Sequence, residues 1–152
     1  MGEAARASLP CTGNDADPTP VAEALAGAEG LSSDARGVVE AEMPAVLRSM
    51  ELAAGDAAGQ RHVVVTLGED GVLWLEAALA DGAWAVDARL LAAAPVGGAH
   101  VSVTGCGDSL VGATVAGLAA GKGAAESLAQ GLRAAARTLQ SDCAVAPDVG
   151  DL

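Results

Sequence analysis

The residues best suited to chemistry are Ser102-Val103-Thr104-Gly105-Cys106-Gly107-Asp108-Ser109. An extended stretch ends, two glycines separated by one residue turn the chain, and an apolar helical stretch begins at an acid. Glycines let backbone N–H groups approach a ligand without side-chain obstruction. The first N–H groups of a helix lack internal partners and lie at the positive end of its dipole, which suits an anion. A carboxylate held beside such an anion is placed to accept a proton from a hydroxyl attacking it. The same pattern also describes a plain strand-to-helix turn with Asp108 as its N-cap. Spacing alone leaves both readings open.

Two better-known phosphate loops are excluded. Gly117-Leu118-Ala119-Ala120-Gly121-Lys122-Gly123 has the wrong spacing for a Walker A loop and no Ser or Thr after Lys122. In the 105–110 segment Leu110 stands where a dinucleotide fingerprint needs its third glycine. Other reactive side chains read as bland. His62 and His100 flank strands without a partner at ligand spacing, and Cys106 reads as a small residue tolerated beside two glycines, the alternative being a reactive thiol at a helix amino terminus. Trp74 and Trp84 read as packing residues, and Glu69 and Asp70 as the acids of a solvated turn.

The elements that must position the glycine turn follow from periodicity. Residues 1–17 read as a flexible lead-in. Thr19-Pro20 starts a helix with Val21 and Leu25 on one face, and Gly30 follows its end. A second helical pattern runs from Ser33 to Ala54, with Pro44 predicting a break or kink. His62–Thr66 reads as a strand buried on both faces, Val72–Leu75 as its hairpin partner, and Trp84–Val86 as a third strand. Val101–Val103 reads as a fourth, leading into the glycine turn. Helices are expected over Ser109–Ala120 and Ala124–Leu139, with Gly112, Ala113, Ala116 and Gly117 allowing close packing of helix on sheet. The order predicts an α/β fold, a layered sheet with flanking helices, occupying 18–148 and followed by a tail over 149–152.

Composition limits what this fold can do. The hydrophobic fraction is 51%, yet Phe, Tyr and Ile are absent and about a quarter of the 152 residues are Ala. Burial energy follows apolar area, so such a core is thin or was shaped to meet further structure. The formal net charge is −12 and Lys122 is the only lysine, which excludes nonspecific nucleic-acid binding and disfavours an anionic membrane surface. Cys11, Cys106 and Cys143 show no metal-ligand spacing. With no secretory signal and no apolar run long enough to span a bilayer, an intracellular, cytoplasmic protein is expected.

Three ordered segments carry a family resemblance. Thr104-Gly105-Cys106-Gly107-Asp108-Ser109 with Leu110-Val111-Gly112-Ala113 resembles the carboxy-terminal signature of the ribokinase-like (PfkB) carbohydrate kinases. Val63–Leu73, containing Thr66-Leu67-Gly68-Glu69-Asp70-Gly71, resembles that family's strand–TLGxxG–strand hairpin. Pro20-Val21-Ala22-Glu23 lies where the family has N-x-x-E, with Pro20 in place of the Asn. Ser102 stands where many relatives have an Asp near a monovalent-cation site. Thr104–Asp108 together with Ser141–Pro147 looks like the pseudouridine kinases within the family.

The resemblance implies an ATP-dependent phosphotransferase acting on a sugar or nucleoside hydroxyl. Asp108 would be the base, and the N–H groups of Gly105, Cys106 and Gly107 the anion hole. Thr66, Gly68 and Gly71 would lie along the nucleotide phosphates, and Glu23 would support Mg2+ through water. With so few basic residues, Mg2+ and backbone dipoles would carry charge neutralisation. Family members are longer, and their amino-terminal half supplies most of the sugar pocket. The chain therefore reads as the carboxy-terminal, nucleotide-binding half of an incomplete ribokinase-like fold. The alternative is a non-catalytic nucleotide-binding fragment, completed by a missing amino-terminal half or by a second copy in a homo-oligomer.

Overall fold

The computed structural model describes residues 19–54, 60–80, 83–98 and 100–151. The lead-in expected over 1–17, and Cys11 within it, lie outside the described residues. Helices α1 (Thr19–Ala26) and α2 (Ser33–Ala54) come first, followed by strands β1 (Gln60–Thr66), β2 (Val72–Ala80) and β3 (Ala83–Leu91). Helices α3 (Cys106–Ala119) and α4 (Ala124–Leu139) follow, and Val149–Asp151 forms a short 3-10 turn where a tail was expected. The strands form one antiparallel sheet in the order β1-β2-β3.

The alternation of β2 divides its side chains between two environments. Leu73, Leu75 and Ala77 point to one face, where they meet Val21, Leu25 and Ala28, and Val39, Met43 and Leu47 of α2. The spacing of four residues between Val39, Met43 and Leu47 puts them on one stripe of α2, which is why this helix lies on the sheet. Arg36 ties α1 to α2 by donating from Nη1 to the carbonyl of Leu25 and from Nη2 to that of Ala28, at 3.4 Å for the second. The Leu25 carbonyl also accepts the Ala28 N–H at 3.1 Å, so Arg36 closes over the turn that ends α1. Of the break or kink expected at Pro44, the break is absent, because α2 runs through it as one helix. Its packing against the sheet outweighs the hydrogen bond that proline removes.

The other face of the sheet carries a second, smaller cluster. Val72 packs there against Leu110 of α3 and Leu132 of α4, with Leu91, Ala94 and Ala135 at its edge. Farther along this face the side chains are polar. His62 Nδ1 accepts a hydrogen bond from Trp74 Nε1 at 3.1 Å, and Arg89 lies over the indole ring, 5.4 Å from its centre. Glu76 pairs with Arg89 at 3.4 Å and lies 3.7 Å from His62 Nδ1. Trp74 is buried, at 4% exposure. His62 lies on the edge strand β1, as expected, and is in addition the hydrogen-bond partner of Trp74. The side chain of Trp84 lies outside the described residues.

Two expectations about strands are corrected. The run His62–Thr66 is not buried on both faces, because β1 lies at the edge of an antiparallel sheet and alternates between exposed and half-buried positions. Val101–Val103 forms no strand. No described strand lies beside it to complete a ladder, and Val101 and Ser102 instead donate their N–H groups to the carbonyl of Leu139, at 2.9 and 3.4 Å.

Helices α3 and α4 form a hairpin of small residues. A Cβ added at Gly131 would lie 2.2 Å from Thr114 Oγ1 and 2.6 Å from the Leu110 carbonyl, so this glycine sets the separation of the two helices. Gly117 meets Ser127 of α4 in the same way, so it serves helix-on-helix packing, whereas Gly112 has nothing within 4 Å. Val111, Val115 and Leu118 lie along α3 with 49–59% exposure. The three side chains form an apolar stripe exposed along the helix. No described helix is long and apolar enough to cross a membrane.

Candidate functional site

The glycine turn is built around Gly105. Its φ of 80° lies in the left-handed region, and a Cβ there would lie 1.5 Å from the carbonyl oxygen of Ala144. Glycine alone fits both constraints. Helix α3 begins directly afterwards at Cys106, three residues before the expected start. Asp108 is thus the third residue of the helix and not its N-cap, a position held by Gly105 without any side-chain cap. The first helical hydrogen bond runs from Ser109 N–H to the Gly105 carbonyl at 2.9 Å. Gly107 and Asp108 precede that bond, so their N–H groups are the orphan donors of a helix start. The Cys106 N–H donates to the Val103 carbonyl at 3.3 Å, closing the turn itself.

The hairpin segment arrives at the same place. Between Thr66 and Val72 the chain makes one 3-10 turn, Gly68–Asp70, closed by Leu67 N–H donating to the Gly71 carbonyl at 2.9 Å. Gly71, with a φ of 100°, fits under the end of β3, where a Cβ would lie 2.1 Å from the Leu91 carbonyl. These two turns border one cavity of about 730 Å3. Thr66, Gly68, Glu69 and Gly71 form one wall, and Cys106 and Gly107 another. The apolar end is made by Ala93–Val96, Leu110, and Leu132, Ala135, Ala136 and Leu139 of α4, with His100 and Val103 beside the glycine turn. Such a combination of a mostly apolar chamber and a few polar groups is the usual build of a small-molecule site.

Sequence-predicted residues divide into two groups. Thr66, Gly68, Gly71, Cys106 and Gly107 are brought together in this cavity wall. Gly105 and Asp108 flank the wall residues in the chain, and Asp108 is exposed to solvent. Glu23 is exposed on α1 and is not in the wall. Among the described residues no three His, Cys, Asp or Glu side chains gather in a group that could hold a metal ion. The described residues thus form no ligand set of their own for a resident Mg2+. Lys122 is occupied elsewhere, donating to Gln130 Oε1 at 2.7 Å. Sequence reasoning missed His100 and the α4 contribution to the wall; the helical repeat of Leu132, Ala135, Ala136 and Leu139 was the available signal.

The thiol of Cys106 is held above its usual range, chiefly because burial disfavours the thiolate. Helix-start activation therefore does not prevail. The expected outcome is that iodoacetamide at neutral pH labels exposed Cys143 about tenfold faster than Cys106, which peptide mass spectrometry would measure. Labelling of Cys106 should accelerate as pH rises and its thiolate forms. It should slow when a ligand fills the cavity.

One cavity is thus bounded by two glycine-containing turns and the start of α3. Residues 23–148 match the pfkB family carbohydrate kinase. The chain belongs to that family. No curated protein matches it. Among solved structures it is similar to ribokinase from Cryptococcus neoformans var. grubii serotype A in complex with ADP, at 23% sequence identity and a TM-score of 0.47. That match covers 81% of this chain and 37% of the ribokinase, so the chain spans well under half of that protein's length.

Proposed function

We propose that the chain binds a nucleoside triphosphate in the 730 Å3 cavity and carries the phosphoryl-transfer half of a carbohydrate or nucleoside kinase. The observation that carries this reading is the convergence of the Thr66–Gly71 turn and the Cys106–Gly107 helix start on one chamber. The apolar end suits a base, and the turns suit phosphates. The open N–H groups of Gly107 and Asp108, with Gly105 holding the turn, face charge that develops on the transferred group. Cys106 shapes the turn through its N–H bond to Val103. Thr66, Gly68 and Gly71 line the phosphate path.

Asp108 acts as the base, taking the proton of the attacking hydroxyl as it approaches the γ-phosphorus. Mg2+ enters with ATP as part of the substrate, neutralising phosphate charge that the acidic protein leaves unmatched. Glu23 takes at most an outer role there, through water. The kinase unit corresponds to residues 18–148. Acceptors are sugars or nucleosides, pseudouridine among them.

Calorimetric titration with ADP and with Mg-ATP tests the binding reading, and a coupled assay with pseudouridine and simple sugars tests turnover. Saturable ADP binding is expected, and its absence would overturn the proposal. A second reading, binding without turnover, is favoured by the solvent exposure of Asp108, which stands outside the cavity wall. Binding with no phosphorylated product from any acceptor would select that reading.

A further inference from the structure

The last turn of α4 holds the glycine turn from three sides. Thr138 is fully buried, and its Oγ1 lies 2.7 Å from the Oγ of Ser109, which is 5% exposed. The same Thr138 oxygen accepts the N–H of Ala146 at 3.2 Å. Ser109 follows Asp108 directly, and its N–H closes the first turn of α3 onto Gly105. Ala146 belongs to the segment whose Ala144 carbonyl presses against Gly105. Leu139, next in the chain, accepts N–H groups from Val101 and Ser102, on the approach to the turn.

Thr138 thus joins the segment leaving the glycine turn to the segment backing it, through one oxygen. We infer that Thr138 is a positioning residue: through Ser109 and Ala146 it fixes the Gly105–Asp108 turn in the geometry that presents Asp108 and the open N–H groups. Its functional consequence rests on the proposed nucleotide site; the positioning itself does not. A hydroxyl is required because valine, of nearly the same shape, would leave the Ser109 hydroxyl and the Ala146 N–H buried without partners. Serine keeps the hydroxyl and loses only a methyl group.

The experiment compares the full chain with Thr138→Val and Thr138→Ser by amide hydrogen exchange and by ADP titration. In T138V, exchange at Ser109 and Ala146 should rise about tenfold relative to the amides of β2, the factor expected from one lost buried hydrogen bond. T138S should restore most of that protection. ADP affinity should fall about tenfold in T138V and recover in T138S. A uniform rise across β2 and α3, or no change at Ser109 and Ala146, would overturn the inference, since either marks a merely global or absent effect. If T138V does not fold, Ser109→Ala removes the partner hydroxyl alone: exchange should then rise at the amide of position 109 with Ala146 unchanged, and no rise there would overturn the inference. Failure of ADP to bind the wild-type chain defeats the nucleotide reading, while the exchange result still decides the role of Thr138.

Discussion

Asp108→Asn is expected to lower phosphoryl transfer by about 10²- to 10⁴-fold, the range contributed by a positioned general base. The substitution keeps the size and the helix position of the side chain. Asn cannot take up the proton that leaves the acceptor hydroxyl. Asp108 is exposed and stands outside the cavity wall, so ADP binding should remain as in the wild type. The loss would then appear in kcat with little change in nucleotide affinity, the pattern of an interaction made in the transition state. Equal turnover by wild type and variant in the coupled assay would remove Asp108 from the mechanism. Loss of ADP binding together with turnover would instead make the carboxylate a ligand of the nucleotide complex.

How far this site was legible depends on whether its contacts are local in sequence. The Thr66–Gly71 and Thr104–Ser109 segments identify themselves, because turn glycines and helix starts are short-range features. The bounds of α2 and α4 and the β1–β2 hairpin were legible for the same reason. The start of α3 was misplaced because the sequence cannot reveal that Gly105 is pressed against Ala144. That contact makes Gly105 the cap and brings Cys106 into the helix. Val101–Val103 has strand composition, yet a strand needs a partner, and the described residues provide the Leu139 carbonyl instead.

The second face of the sheet shows the same limit. Trp74 and His62 meet across β1 and β2, in a register that aligns Val64 with Trp74 and His62 with Glu76. Nothing local in either strand specifies that pairing. The α4 wall was hidden differently: Ala135 and Ala136 read as ordinary helix formers until the hairpin of α3 and α4 brings them to the cavity. Because the residues of this protein are small, backbone proximity decides more than side-chain identity, and glycine positions carry much of the information.

The two glycines of the turn should therefore fail in opposite ways when given a methyl group. Gly105→Ala places a side chain at a φ of 80° and 1.5 Å from the Ala144 carbonyl, so the 144–146 segment must move. A destabilisation of at least about 2 kcal/mol is expected, or roughly 4–8 °C in Tm for a chain of this size. Gly107→Ala meets nothing within 4 Å and has no left-handed φ. Replacing a helical glycine with alanine should leave stability equal or raise it by about 0.5 kcal/mol. Yet Gly107 lines the cavity, and its new methyl group would occupy space that a phosphate needs to reach the N–H groups. ADP affinity in this folded variant should fall by about tenfold, equivalent to losing one charge-assisted hydrogen bond. Thermal melts and calorimetry on both variants separate the two roles: Gly105 makes the turn possible, and Gly107 keeps it open to an anion. A Gly107→Ala protein that binds ADP as tightly as the wild type would place the phosphates elsewhere in the cavity.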